Sequence, residues 1–415
     1  MSRKYDRDLQ YYKFCTYGFL KNLRFYEPFL ILFFVEKGLT YFQIGTLYAV
    51  REISTNILEV PTGIIADSLG RRRTMIYSFI SYILSFLIFF CSGTYLLFLP
   101  AMLFFSFGEA FRTGTHKAMI FQYLVLKGWD DQKVHYYGHT RSWSQIGSAI
   151  SSLIAAYIVV CSGSYSPIFL YATIPYVVDL LLIITYPKEL DGVKKHLQET
   201  EIKENVIRVL REFIYSFKNT YMLRAITNLS VFSGFHRATK DYLQPILGTF
   251  ALSLPVVLYL EDSQRSALVI GIVYFIIFIL TSIASRRSGS IAEGFHQITI
   301  PLNITMTAGF FMGALIGFFY NIQLTSISIM LYLGLYVIQN LRKPMGIAYV
   351  SDMMQQNILA TALSAESQIT TLFTAIITIS IGLCADHFGI GNAMLIISLT
   401  LLLMTPICHA RDKKT

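Results

Sequence analysis

Two glutamates, Glu52 and Glu59, lie in an otherwise apolar stretch of the chain, where a charged side chain is costly to bury. They are seven residues apart, which is two turns of an α-helix and places both carboxylates on one face. A carboxylate in such a setting can contact a substrate or take up and release a proton as its surroundings change. We therefore predict proton coupling or substrate contact for Glu52 and Glu59. The alternative is static pairing with Arg24, Arg51 or Arg112.

Other charged residues share this apolar setting. Glu109 and Arg112 are three residues apart and can pair within one helix, either in a proton or substrate site or only to ease membrane insertion. Lys21, Arg24 and Glu27 follow at three-residue steps, which predicts nearby faces of one helix. Four charged residues are candidates for lining a cavity: Arg24, Asp179, Arg237 and Glu366. Four aromatic side chains are candidates for stacking on a substrate ring: Tyr17, Phe25, Tyr332 and Tyr336.

A short motif begins at Glu59. The chain reads Glu59-Val-Pro61-Thr-Gly63-Ile-Ile-Ala-Asp67-Ser-Leu-Gly70-Arg71-Arg72-Arg73. Gly63 allows a neighbouring helix to approach closely, Asp67 can pair with an arginine or a helix N-terminus, and Gly70 permits a turn that other residues resist. Charges that hold a loop in the cytoplasm would explain the arginines, but not the Gly, Asp and Gly spacing. We predict a cytoplasmic gate motif made of Pro61, Gly63, Asp67, Gly70, Arg71 and Arg72.

The elements that carry these residues are membrane-spanning helices. The chain has 415 residues, of which 54% are hydrophobic and only 14% charged, whereas a soluble domain has about 25% charged residues. Apolar stretches of about 20 residues can cross a bilayer. The sequence predicts an all-α membrane protein with twelve spans, at 14–36, 44–66, 74–92, 95–116, 139–161, 166–186, 221–249, 266–285, 298–319, 322–342, 359–384 and 390–409.

Basic residues are distributed unevenly between the two sides of this arrangement. The loops on one side contain only Lys37 and Arg265, while the loops on the other side and both termini hold most of the remaining ones. Because basic loops stay in the cytoplasm, we predict a multi-pass protein of the plasma membrane with both termini cytoplasmic. Met1 to Lys13 is polar and does not resemble a cleaved signal peptide. The net charge of +9 resides in short loops and does not indicate a nucleic-acid partner.

A long polar stretch and an internal repeat organise the chain. We predict a six-helix half at 1–186, a cytoplasmic linker with an amphipathic helix at 187–220, and a second six-helix half at 221–415. The sequence Gly63-Ile-Ile-Ala-Asp67-Ser-Leu-Gly70 recurs as Gly382-Leu-Cys-Ala-Asp386-His-Phe-Gly389, and the segment 112–118 has a weaker counterpart at 342–348. The two copies fall in loops on opposite membrane faces, as inverted repeats of three-helix units predict.

These features resemble the major facilitator transporters: twelve spans, a central linker, and the helix 2–3 signature G-x-x-x-D-x-x-G-R-R/K. The resemblance implies the major facilitator fold of two six-helix halves. More narrowly, the motif from Glu59 to Arg72 resembles E-x-P-x5-D-x3-R-K of the P-class tetracycline efflux proteins, which have functional acidic residues in helix 2. Glu52 and Glu59 match those positions, and Arg72 stands where that class has lysine.

Two departures leave the transport direction open. Twelve-helix drug antiporters commonly carry G-x-x-x-G-P-x-x-G-G on helix 5, where this chain has Gly147-Ser-Ala-Ile-Ser-Ser. Their helix 4 motif is reduced here to Arg112-Thr-Gly114.

Three functions remain. The leading one is proton-coupled efflux of a small amphipathic drug, with tetracycline as the first candidate. The alternative is a facilitator or symporter for a small organic metabolite or anion, which embedded arginines would suit. A membrane receptor is disfavoured because the chain has no soluble sensing domain. Since no nucleotide-binding, zinc-protease or serine-hydrolase motif occurs, we expect no enzyme and no cofactor.

The expected partners are a small-molecule substrate, protons and the lipid bilayer, and we expect the protein to function as a monomer. The five cysteines contain no C-x-x-C pair and are scattered at Cys15, Cys91, Cys161, Cys384 and Cys408. We interpret them as small buried hydrophobic residues rather than metal ligands or disulfides.

Overall fold

The computed structural model describes residues 6–129, 132–191, 220–255, 258–352 and 356–410. All regular elements in these ranges are helical, which confirms the predicted all-α class. The helices are α1 (Leu9–Lys21), α2 (Leu30–Glu36), α3 (Tyr41–Leu69), α4 (Arg71–Cys91), α5 (Tyr95–Arg112), α6 (Thr115–Lys127), α7 (Lys133–Ser162), α8 (Pro167–Ile184), α9 (Thr220–Thr239), α10 (Leu243–Ser253), α11 (Asp262–Glu293), α12 (Thr299–Asn321), α13 (Thr325–Asp352) and α14 (Gln356–Cys408). Short 3₁₀ turns occupy Glu27–Phe29, Lys188–Asp191 and Lys240–Tyr242. Within the described ranges, 7 helical stretches are long and apolar enough to cross a bilayer.

The predicted first span, 14–36, is not a single helix. α1 ends at Lys21. A 3₁₀ turn then begins at Glu27, and α2 begins at Leu30. Pro28 explains the break, because it has no N–H to bond the Arg24 carbonyl, which instead accepts from the Glu27 N–H at 3.0 Å. Arg24 and Glu27 therefore do not share a helix face with Lys21, contrary to the spacing argument. They lie in the break, with Nη1 of Arg24 3.8 Å from Oε2 of Glu27.

The predicted seventh span, 221–249, is broken in the same way. A 3₁₀ turn at Lys240–Tyr242 separates α9 from α10, and Pro245 cannot donate to the carbonyl four residues earlier. Two tyrosine hydroxyls of α13 donate to carbonyls at this break: Tyr332 to Thr239 at 3.2 Å and Tyr336 to Lys240 at 3.1 Å. These hydroxyls satisfy backbone groups, as burial in an apolar setting requires.

Two glycines with positive φ interrupt or separate further predicted spans. The predicted span 95–116 ends early, at Arg112, because Gly114 has φ of +79° and α6 starts after it. In α14, Gly389 has φ 81° and ψ 162°, and it separates the two spans predicted there. Gly70, which precedes α4, has nearly the same conformation, with φ 95° and ψ 137°. The two copies of the sequence repeat therefore end in the same backbone turn.

The helices pack into two compact units. The first contains the described residues of Met1–Phe29, Ser54–Val206 and Ile270–Phe275, and the second those of Leu30–Ile53, Ile207–Val269 and Ile276–Thr415. α3 thus contributes to both. The division at 186 and 221 into six-helix halves stays a prediction, and most of the predicted linker lies outside the described residues.

An aromatic core fills the first unit between α4, α5 and α8. The ring of Tyr82 lies 5.3 Å from that of Phe105 and 5.2 Å from that of Tyr176, and Phe86 lies 4.9 Å from Tyr176. This core fixes the position of α5, and with it that of Glu109 and Arg112.

Candidate functional site: a basic cavity in the first unit

The first unit contains a cavity of about 350 Å³, within the size range of small-molecule sites. It lies where α1 ends and where α5 turns into α6, with α7 forming the opposite wall. Its charged lining consists of the basic side chains Lys21, Arg112, Lys117 and Arg141, without an aspartate or glutamate among the lining residues. The other lining residues are Phe14, Tyr17, Gly18, Asn22, Thr113, Gly114, His116, Ile120, Tyr137, Thr140, Ser144 and Gln145.

The helix interruptions place several of these groups at the cavity. Lys21 and Asn22 line the cavity at the end of α1, and the Asn22 amide donates back to the Gly18 carbonyl at 2.7 Å. The turn at Gly114 brings Thr113 and His116 to the same wall. The sequence predicts uninterrupted helices over 14–36 and 95–116. A cavity formed where these helices end was therefore not predicted.

Arg112 is held at the cavity wall by Glu109 and Tyr82. The Arg112 guanidinium forms an ion pair with Glu109, which confirms the predicted local pair, and the Tyr82 hydroxyl donates to the other carboxylate oxygen. Nε of Arg112 also donates to the Tyr82 hydroxyl at 3.4 Å. A planar guanidinium fixed in this way is preorganised to bind a carboxylate or phosphate.

An aromatic pair forms another part of the wall. Tyr17 stacks on His116 with ring centres 3.6 Å apart and planes 15° apart. Nε2 of His116 lies 3.3 Å from the Tyr186 hydroxyl, which holds the imidazole ring in place. Of the four aromatic candidates, Tyr17 is the one among the cavity-lining residues; Phe25 is buried elsewhere.

Two charged residues nearby have unusual surroundings. Lys21 is 6% exposed and has no ion pair within the described part of the chain. Asp179, on α8, is 0% exposed, and neither carboxylate oxygen has a hydrogen-bond partner among the described residues. Asp179 does not line the cavity, whereas Lys21 does.

The predicted proton or substrate residue Glu52 lies in the second unit. Its Oε1 accepts from Arg51 at 3.0 Å and its Oε2 from Arg237 at 3.4 Å. The pairing with Arg51 is one of the static alternatives that the sequence left open, whereas the pairing with Arg237 was not among them; a coupling role for Glu52 stays a prediction. Glu59 follows two turns later on α3, in the first unit. Glu366, on α14, accepts from the Thr370 hydroxyl at 3.2 Å.

The predicted gate motif is described in part. The side chains of Pro61 and Asp67 and the surroundings of Gly63 are outside what the structure describes. The turn at Gly70 packs against Asp191, whose Oδ1 accepts the Arg72 N–H at 2.7 Å. Side chains of the arginines donate to carbonyls, Arg72 to Tyr186 at 3.1 Å and Arg71 to Ala118 at 3.3 Å. Sequence reasoning missed Asp191; its only signal was an acidic residue shortly after the sixth span.

The second copy of the repeat forms a contact within the second unit. The two carboxylate oxygens of Asp386 accept the N–H groups of Tyr41 and Phe42, at 2.7 and 2.8 Å, at the start of α3. Glycines allow the backbones of α3 and α14 to approach closely beside these hydrogen bonds. A Cβ on Gly382 would lie 2.3 Å from the Tyr41 carbonyl oxygen, and one on Gly45 would lie 2.3 Å from the Thr378 carbonyl oxygen. We call this group the Asp386 contact.

The cysteines are free, and the expectation that all are buried is wrong. Cys15 and Cys408 are buried, whereas Cys91 and Cys161 are exposed at the ends of α4 and α7. The described residues contain no group of three or more His, Cys, Asp or Glu side chains that could hold a metal ion.

Comparison with known proteins decides the family. The model of the Major Facilitator Superfamily matches residues 22–365. The chain belongs to the Major Facilitator Superfamily. It is 21% identical over 406 residues to the uncharacterized MFS-type transporter YxaM of Bacillus subtilis (strain 168), covering 94% of this chain and 93% of that protein. This member of the superfamily is therefore a multi-pass membrane transporter.

Solved structures show the same fold. A mutant of the nucleoside transporter NupG superposes with a TM-score of 0.76 at 17% identity, covering 96% of this chain and 99% of that chain. A POT family transporter in complex with 5-aminolevulinic acid gives a TM-score of 0.70 at 13% identity, covering 96% and 95%. These likenesses confirm the predicted major facilitator fold. The narrower resemblance to P-class tetracycline efflux proteins is not confirmed by them.

Proposed function

We propose that this transporter carries an organic anion that contains a planar ring, and that the anion binds in the basic cavity of the first unit. The observation that carries the proposal is the cavity lining, in which Lys21, Arg112, Lys117 and Arg141 are the charged residues. Two opposite unit charges 4 Å apart attract by about 4 kcal/mol at an effective dielectric constant of about 20. A lining with one sign of charge therefore selects strongly for anions.

The other lining residues refine the substrate class. Arg112 is already paired with Glu109, whereas Arg141 has no ion pair within the described residues, so Arg141 is the freer guanidinium. The stacked rings of Tyr17 and His116 offer an apolar surface to a planar group. Amide and hydroxyl groups from Asn22 and α7 supply hydrogen bonds to further polar atoms. A carboxylate on an aromatic or heteroaromatic ring meets all these requirements.

Proton-coupled efflux of a drug such as tetracycline is the second candidate. It is supported by the E-x-P motif around Glu59, whereas the pairing of Glu52 with Arg51 and Arg237 favours a static role for that carboxylate. Both candidates are driven by a gradient, since the chain has no nucleotide-binding motif.

The test uses the purified protein in liposomes and three probes that share one ring: benzoate, benzamide and benzylamine. We expect benzoate to be transported and to protect the protein against thermal unfolding, with little effect of the neutral and cationic probes. Arg141→Gln is expected to weaken benzoate binding at least about tenfold, the loss of roughly 1.4 kcal/mol. The matched control is Lys127→Gln, which removes an exposed cation outside the cavity lining.

The outcomes separate the two candidates. Preference for benzylamine, or no distinction among the three probes, would contradict the anion proposal. Accumulation of tetracycline in inside-out vesicles with an acid interior, abolished when the pH gradient is dissipated, would support drug efflux instead.

A further inference from the structure

Asp179 is a carboxyl group without a role in the site described so far. It lies in the middle of α8, is 0% exposed, and has no hydrogen-bond donor on either oxygen among the described residues. The other carboxylates discussed above differ in this respect: Glu52 and Glu109 are paired with arginines, and Asp386 and Asp191 accept backbone N–H groups. A carboxylate ion in such surroundings would lose its hydration without compensation. The arrangement therefore suits the neutral acid.

A cation lies within electrostatic reach of Asp179. The Tyr176 hydroxyl, three residues before Asp179 on α8, donates to the Lys21 carbonyl at 3.3 Å, and no hydrogen bond joins Lys21 to the Asp179 carboxyl among the described residues. Lys21 is also one of the four basic residues of the cavity lining. The flexible Lys21 side chain is therefore shared by two sites, the buried carboxyl of Asp179 and the anion site in the cavity. Its ammonium group can form a close ion pair with only one of them at a time.

We propose that Asp179 carries the coupling proton, and that Lys21 links its protonation to anion binding in the basic cavity. With an anion in the cavity, the Lys21 ammonium pairs with that anion, and Asp179 keeps its O–H bond. When the anion leaves, the ammonium is released to approach Asp179. The O–H bond then breaks, the proton passes to water, and the carboxylate remains as the partner of Lys21.

One proton and one anion therefore move in the same direction, so transport of a monovalent anion is electroneutral. The identity of the anion rests on the proposed function, whereas the protonation of Asp179 does not.

The titratable neighbours of Asp179 come from several elements. α1 contributes Lys21 and Tyr17, and Tyr186 follows the end of α8. From α4, Tyr82 contacts the Tyr176 ring of α8. The tyrosines are neutral near physiological pH, so Lys21 is the neighbour whose charge can change the proton affinity of Asp179.

The first experiment needs no substrate. Infrared difference spectra of the purified protein in liposomes report the carbonyl stretch of a protonated carboxylic acid. We expect a band at neutral pH that Asp179→Asn removes and that Asp262→Asn, which changes a carboxylate with 80% side-chain exposure, leaves unchanged. Lys21→Met is expected to move the titration of this band to higher pH, because the cation that favours the carboxylate is gone. If the charge of Lys21 did not reach Asp179, Lys21→Met would cause no such shift.

The second experiment measures coupling with benzoate as the probe. Asp179→Asn is expected to abolish accumulation of benzoate driven by a pH gradient while keeping exchange of labelled for unlabelled benzoate. Wild-type protein that shows the infrared band but no exchange would contradict the proposed anion while leaving the proton site intact. Identical spectra of wild type and Asp179→Asn, or an unshifted band in Lys21→Met, would overturn the inference. The Lys21→Met arm keeps Asp179 and so remains informative if Asp179→Asn fails to fold.

Discussion

The glycines of the Asp386 contact give a sharp prediction about stability. We expect Gly382→Ala to destabilise the protein, although the same change normally stabilises a helix. The added methyl group would lie 2.3 Å from the Tyr41 oxygen, 2.9 Å from its carbonyl carbon and 3.1 Å from Cα of Phe42. All three are backbone atoms, so no side-chain rotation relieves the clash, and α3 and α14 must separate.

The expected magnitude follows from two opposing effects. Alanine is favoured over glycine in a helix by about 1 kcal/mol, whereas forcing a methyl group into a filled contact costs roughly 1–3 kcal/mol. Separation of the helices would also weaken the two hydrogen bonds to Asp386, and bonds to a charged group are worth about 1.5–3 kcal/mol each. We therefore expect a net loss of about 1–3 kcal/mol for Gly382→Ala.

The assay is thermal unfolding of the detergent-purified protein, followed by loss of the monomeric peak in size-exclusion chromatography. Gly138→Ala is the matched control, because it adds the same methyl group to a helix where nothing lies within 4 Å. We expect a lower midpoint for Gly382→Ala and an unchanged or higher midpoint for Gly138→Ala. Equal gains in both variants would refute the close approach of α3 and α14.

Three further predictions concern topology and transport. An impermeant thiol reagent added outside cells is expected to label single cysteines at Gly93, Ser164 and Asn321, but not one at Arg287; the reverse pattern would overturn the predicted orientation. Asp67→Asn is expected to reduce transport to background with an unchanged amount of protein in the membrane, and wild-type transport would exclude a gating role. If Glu52 and Glu59 couple protons, each Glu→Gln variant is expected to lose active transport while each Glu→Asp variant retains part of it; full transport by both Gln variants would leave them as ion-pair partners.

The sequence predicts the helices well where a single physical requirement decides them. A bilayer demands long apolar segments, and these are visible in the composition of each span. The Glu109–Arg112 pair is equally local, because three residues along a helix bring the two side chains together. The sequence repeat also depends on local requirements. Its two copies end in Gly70 and Gly389, and both glycines adopt the same backbone turn.

The helix breaks were harder to predict, because the same residue type acts differently at different sites. Pro28 and Pro245 accompany breaks, whereas Pro100 and Pro175 lie inside helices α5 and α8. A break in a helix leaves carbonyls that neighbouring elements must satisfy, as the Tyr332 hydroxyl does for Thr239. That information is tertiary, and so were the cavity and the unpaired state of Asp179.

The Asp386 contact has a consequence for how this protein can vary in evolution. Its acceptor is one particular carboxylate, but its donors are the main-chain N–H groups of Tyr41 and Phe42, which every residue except proline supplies. Positions 41 and 42 are thus free to change while Asp386 is not, and no exchange at one site compensates for a change at the other. Related sequences would therefore show constancy at Asp386 without correlated substitutions, and a search for co-varying pairs would pass over this contact.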